Sequence, residues 1–187
     1  MNTIQPRRVV VGADFAGHEL KEAVKAHLEE RGWEVDDLTP VKAEAPMYHR
    51  VGFLLGSKLS EKEYDKALAF CGSGMGIHVA ASKCPHVHAA VAETVSSARR
   101  AATANNCNLL AMGAFFVGPQ VGMAMADAFL DHSLGDGYED WDGFYDYHRL
   151  GYEESEHFDY AAFKASGFAL ASLTTPHLGT QPTGLAF

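Results

Sequence analysis

Short apolar runs alternate with amphipathic stretches from Arg8 to Asp131. Arg8-Val-Val-Val-Gly12 reads as an all-apolar strand of the kind covered on both faces. Gly17 to Arg31 follows with Leu20, Val24 and Leu28 at i, i+4 and i+8, which predicts a helix stopped by Gly32. Trp33 to Leu38 is a second strand. Pro40 and Pro46 mark a loop, and Tyr48 to Leu59 has a helical spacing. Ala67 to Phe70 is a third strand, followed after a glycine-rich turn by a helix over Ile77 to Ser82. His88 to Ala92 and Asn108 to Met112 read as strands, Val95 to Ala104 and Gly118 to Asp131 as helices.

Strand and helix thus alternate five times with short connections. That order predicts an open, doubly wound, five-stranded parallel sheet with helices on both faces, a Rossmann-like α/β arrangement. Ligands of such sheets bind beyond the carboxyl ends of the strands. Asp14, the turn from Cys71 to Gly76, and Asn105-Asn106 are expected to converge on one such edge. The sheet domain is expected to span 1–132. From 133 to 187 lies an extension rich in aromatic and acidic residues, too aromatic for a solvated tail and expected to pack on a partner subunit. Asp159 to Leu173 is read as one further helix, and Thr174 to Phe187 as an extended arm crossing to that partner.

The formal charge of −9 over 187 residues argues against nucleic acid or an anionic membrane as partner, since no basic stripe offsets it. No window is long and apolar enough to span a bilayer. The first residues contain no apolar run of the secretory kind, and the three cysteines (Cys71, Cys84, Cys107) lack metal spacing. Reduced thiols in a cytoplasmic protein are expected. His86-x-His88 is the one chelate-like pair, with no carboxylate or Cys cluster beside it in sequence, so no metal is expected. Gly72-x-Gly74-x-Gly76 lacks dinucleotide spacing, Gly12 to Gly17 is not a P-loop, and no nucleophile elbow is present. No cofactor is expected.

The chemistry concentrates in Ala69-Phe70-Cys71-Gly72-Ser73-Gly74-Met75-Gly76-Ile77. A thiol closes an apolar strand where the backbone becomes free to turn and to approach a ligand. The next helix opens with unpaired N–H groups and a positive dipole end, which favours a thiolate. A thiolate base beside oriented amides suits proton abstraction next to a carbonyl. The competing reading is a buried structural Cys in an ordinary strand-to-helix turn.

Gly12-Ala-Asp-Phe-Ala-Gly-His-Glu-Leu-Lys21 and Phe70-Cys-Gly-Ser-Gly-Met-Gly-Ile77 resemble the two signatures of the ribose-5-phosphate isomerase B and galactose-6-phosphate isomerase family. Ala80-Ala-x-Lys83, Asn105-Asn106-x-Asn108-x-Leu110-Ala-x-Gly113 and Asp127-Ala-Phe-Leu130 follow the same template in order. The resemblance covers Arg8 to His132. It implies metal-free aldose–ketose isomerisation through an enediol in a homodimer whose sites lie between subunits. By position it makes Cys71 the base, with Ser73 on the substrate and Asp14 on sugar hydroxyls. Gly72, Gly74, Met75 and Gly76 would line the enediolate, and Asn105 would face the cleft.

Three positions depart from the template. Phe15 stands for a His, Ala104 for the ring-opening His, and Phe115 for a phosphate-binding Arg. An unphosphorylated sugar or a sugar acid is therefore expected. His18, one turn beyond Phe15, is a candidate to enter the pocket in compensation, against a surface His on the first helix. Arg149, beside His148, is a candidate to reach over the ligand from a partner. Two alternatives stay open: an ordinary sugar-phosphate isomerase with phosphate ligands from the partner, and a non-catalytic sugar-binding subunit.

Overall fold

The computed structural model describes residues 7–173; the Thr174 to Phe187 arm lies outside them. Five strands, β1 (Arg8–Ala13), β2 (Glu34–Asp37), β3 (Ala67–Cys71), β4 (Ala89–Val91) and β5 (Leu109–Gly113), form one sheet. Its order is β2-β1-β3-β5-β4, and every pairing is parallel. Strands β1, β3 and β5 are the all-apolar runs, and the central sheet is buried on both faces, as such runs require.

The helices are α1 (His18–Glu30), α2 (Tyr48–Ser60), α3 (Met75–Ala81), α4 (Val95–Thr103), α5 (Pro119–Leu130), α6 (Phe144–Glu156) and α7 (Tyr160–Ala165). From β1 the chain winds towards β2, and from β3 towards β4 in the opposite direction. With right-handed crossovers, that reversal sends α1, α4 and α5 to one face and α2 and α3 to the other. Two cores result. Leu20, Val24, Leu28, Met125 and Phe129 pack on Val9, Val11, Phe70 and Met112. Val51, Leu55, Leu59 and Ile77 pack on Val10, Ala69, Cys71 and Ala111. Glycine permits the tight α2–α3 contact: a Cβ at Gly52 would lie 2.6 Å from the Ile77 carbonyl oxygen.

Two readings of the pattern shift. The third helix starts at Met75, two residues before the predicted Ile77, because Gly74 takes φ +77° and begins the helix directly from the turn. In the extension, α6 was not predicted, and the helix expected over Asp159 to Leu173 shortens to α7. Asp159 caps α7 through the amides of Ala161 and Ala162, and the chain turns at Gly167 with φ +72°.

The described part of the extension makes contacts with its own sheet domain. Phe144 is buried and stacks on Tyr138 at 4.0 Å, the Arg100 guanidinium lies 5.3 Å from the Phe144 ring, and Tyr152 packs on His88 at 4.5 Å. Helix α7 buries none of its residues, and Phe158 and Phe168, which flank it, pack edge-on against its Phe163.

Candidate active site

The winding reverses between β1 and β3, and the crevice beyond their carboxyl ends is where such a sheet holds a ligand. Asp14 and Cys71 meet there. The Asp14 amide donates to the Phe70 carbonyl at 3.1 Å, which fixes the end of β1 against the residue preceding Cys71. Gly17 brings the start of α1 onto the same backbone: a Cβ there would meet the Phe70 carbonyl carbon at 2.4 Å and the Cys71 nitrogen at 2.6 Å. The Asp14 carboxylate closes the turn by accepting from the Gly17 amide through Oδ1 at 2.9 Å. Its Oδ2 accepts no hydrogen bond among the described residues.

The thiol turn is pinned from the other side by β5. Ala114 and Phe115 donate their amides to the carbonyls of Cys71 and Gly72, both at 2.9 Å. Cys71 is 3% exposed, and the Gly74 amide donates to its Sγ at 3.1 Å. That bond fixes the sulfur at the head of the turn. Met75 donates its amide to Ser73 Oγ at 3.3 Å. The first-turn amides of Gly76 and Ile77 have no acceptor within the helix. One buried thiol, one carboxylate oxygen, one hydroxyl and two first-turn amides therefore collect around the crevice.

Aromatic and apolar side chains surround it. Phe15, Met75 and Phe115 come from the segments that follow three adjacent strands, and each is more than half exposed. The Phe115 ring lies on Gly72 so closely that a Cβ there would meet it at 2.5 Å, and Tyr48 covers Gly76 in the same way. Lys42 stacks its ammonium 4.8 Å from the Phe15 ring centre and pairs with Glu19 at 2.9 Å.

His18 does not lie on the surface. It is 7% exposed, with Nε2 3.4 Å from the Pro40 carbonyl oxygen, so it anchors the β2–α2 loop. Asn105 is placed differently from the expectation. It precedes β5, so it lies at the amino end of the sheet, whereas Cys71 closes the carboxyl end of β3 beside Gly113. Four strand steps separate the two edges, roughly 13 Å. The alternation of elements was right, but a residue before a strand and a residue after one belong to opposite edges.

At the amino edge Asn105 lines a second cleft of about 520 Å³, closed by α6 and containing His88, Tyr147, His148 and Tyr152. Burial and the Arg100 charge hold His148 below the usual imidazole range, although a bond to the Ala104 carbonyl opposes them. Arg149 does not line this cleft; it bonds Glu153 at 2.7 Å and lies 3.8 Å from Asp146. Glu156, at the end of α6, accepts from both His86 and His88. A carboxylate thus does join the His86-x-His88 pair, across sequence rather than along it. Among the described residues no three His, Cys, Asp or Glu side chains are disposed to hold a metal ion. The sequence reading missed this wall. The spacing of Phe144, His148 and Tyr152, one helical face at i, i+4 and i+8, was the signal for it.

The profile of the Ribose/Galactose Isomerase family matches residues 9–140. The chain belongs to this family. It is 32% identical over 135 residues to a 4-deoxy-4-sulfo-D-erythrose isomerase of Clostridium sp. (strain MSTE9), covering 72% of this chain and 85% of that one. Identity to ribose-5-phosphate isomerase B of Escherichia coli (strain K12) is also 32%, over 66% of this chain and 83% of the relative. The crystal structure of a ribose 5-phosphate isomerase from Thermotoga maritima superposes with a TM-score of 0.72 at 25% identity, covering 82% of this chain and all of that one. Ribose/galactose isomerases thus share the five-stranded sheet on which the Cys71 turn is built, and the matched stretch ends before α6.

Proposed function

We propose that the protein interconverts a small aldose and its ketose through an enediolate, with Cys71 as the base. The observation that carries this reading is the buried thiol at the β1/β3 crevice, bonded by the Gly74 amide and adjacent to Asp14. The thiolate takes the proton from C2 of the aldose, and the C–H electron pair becomes the C1–C2 double bond. Negative charge moves onto the former carbonyl oxygen, which the Gly76 and Ile77 amides face. Asp14 Oδ2 and Ser73 pass the O2 proton to O1, and the Cys71 thiol returns its proton to C1. The sum is a hydroxyl at C1 and a carbonyl at C2, with no oxidant or reductant.

Thiol and amides supply both the base and the oxyanion ligands, so the reaction is proposed to be metal-independent. A thiol base also calls for a reducing compartment, the cytoplasm. The working form is a homodimer. Asn105 reaches a Cys71 crevice only from a second copy, and exposed Phe53, Met75 and Val79 give the α2–α3 layer an apolar face for one.

Isomerisation in D2O, followed by NMR over a panel of tetroses, pentoses and hexoses, tests the reading. The wild-type protein should place solvent deuterium at C1 or C2 of at least one sugar, with or without EDTA. Cys71→Ala should bind that sugar and exchange nothing. Unchanged exchange in Cys71→Ala removes Cys71 as the base.

A further inference from the structure

The β1–β2 ladder ends in a side chain. Val11 accepts from the Leu38 amide at 3.0 Å, and the Ala13 amide, two residues on, faces the same neighbour. Strand β2 has stopped at Asp37 by then, and Ala13 donates instead to Thr39 Oγ1 at 2.8 Å. Thr39 is 3% exposed, and its polar groups are held by three different elements. Besides the bond from β1, its amide donates to Oδ1 of Asp37 in β2 at 2.9 Å, and its carbonyl accepts from the Lys21 ammonium of α1 at 2.7 Å. Lys21 also bonds Asp37, so the threonine sits on a buried ion pair. Pro40 follows and disfavours a helical backbone at Thr39.

What this arrangement holds is the start of the Asp14 turn. The Asp14 amide is bonded to Phe70 on the β3 side, and its carboxylate takes the Gly17 amide. The β3 bond runs from main chain to main chain, whereas the β2-side bond next to Asp14 depends on one hydroxyl. We propose that Thr39 is a positioning residue of the crevice: its hydroxyl, set by Lys21 and Asp37, fixes the end of β1 so that the Asp14 carboxylate stays at the thiol turn. This rests on the isomerase reading, in which Asp14 moves a proton between O2 and O1 and Thr39 touches no reacting atom. A displacement of about 1 Å at such a group costs on the order of 100-fold in rate.

Thr39→Val keeps the shape of the side chain and removes the acceptor, and Thr39→Ser restores it. The probe is the tetrose, pentose or hexose into which the wild type places deuterium fastest. Thr39→Val should lower kcat on that sugar about 100-fold with KM nearly unchanged, and Thr39→Ser should recover most of the loss. Lys25→Met, which takes one ammonium from Asp37 and leaves Thr39 bonded, should keep the wild-type kcat. Amide hydrogen exchange, followed by NMR on the sugar-free protein, reads the geometry separately. In Thr39→Val the Gly17 amide should lose more protection than the Leu68 amide of β3. If Thr39→Val does not fold, Thr39→Ala takes its place with the same expectations.

A kcat for Thr39→Val within about threefold of wild type, or a loss that Thr39→Ser does not recover, overturns the positioning role. So does an equal loss of protection at Gly17 and Leu68, which makes Thr39 a general stabiliser of the sheet. Deuterium exchange into no sugar overturns the isomerase reading instead, and the Gly17 amide then decides by itself whether Thr39 holds the Asp14 turn.

Discussion

Lys21→Met should destabilise the fold by about 3 kcal/mol. Lys21 is fully buried at the first turn of α1, and its ammonium bonds Asp37 Oδ2 and the Thr39 carbonyl, both at 2.7 Å. Glu22 Oε1 lies 2.8 Å away. Removing one member of a buried ion pair costs about 3–5 kcal/mol, because the other charge is left in a poor solvent. The low end applies here, since Asp37 keeps Lys25 at 3.1 Å and the Thr39 amide at 2.9 Å. For a chain of this size, about 3 kcal/mol lowers Tm by roughly 6–12 °C. Urea unfolding at pH 7 measures it, and Lys21→Met/Asp37→Leu should recover part of the loss. The pair also sets a pH dependence. Burial raises the Asp37 pKa, but the Lys21, Thr39 and Lys25 bonds outweigh it and hold the carboxylate below its ordinary value. A depressed carboxylate stabilises above its unfolded pKa, and that contribution is lost as pH falls through the folded one. The gap between wild type and Lys21→Met should therefore be full at pH 7 and narrow below about pH 4. A Lys21→Met variant within about 0.5 kcal/mol of wild type at pH 7 would refute this account of the network.

Gly17→Ala should cost about 3 kcal/mol, the upper range for overpacking, because the new Cβ meets backbone at 2.4 Å and no side chain is there to move aside. Gly151→Ala, in α6 with nothing within 4 Å of the added carbon, should gain roughly 0.5–1 kcal/mol; thermal denaturation of the pair contradicts the packing argument if both shift the same way. Lys66 bonds the carbonyls of Phe129 and His132, and burial pushes its pKa down to about 8. Between about pH 8 and 10.5 the unfolded chain holds this proton and the folded one does not, so stability should rise with pH in the wild type relative to Lys66→Met. Denaturant titrations of both proteins at pH 8 and 10 check it, and a constant difference between them counts against the shift.

The sheet was legible because its central strands are buried on both sides and therefore continuously apolar, as in Val9-Val10-Val11 and Leu109-Leu110-Ala111. The thiol turn was legible for a local reason: Gly74 needs positive φ and Gly72 needs contact with a ring, and both needs show as glycine. What failed to show was anything set by position between elements. Asn105 looked like a companion of Cys71 because both flank strands, yet only topology says which end of a strand a residue flanks. The Glu156 bridge to His86 and His88 joins residues about 70 positions apart, and no spacing rule reaches that far. Helix α6 was hidden by its aromatic content, since Phe144, Tyr145, Tyr147 and Tyr152 have the composition of a strand but the phase of a helix. The same principle bears on charge. Arg149 reads as a free cation in sequence and is a paired one in the fold, with Glu153 one helical turn away. Counting basic residues therefore overstates what the site offers an anion.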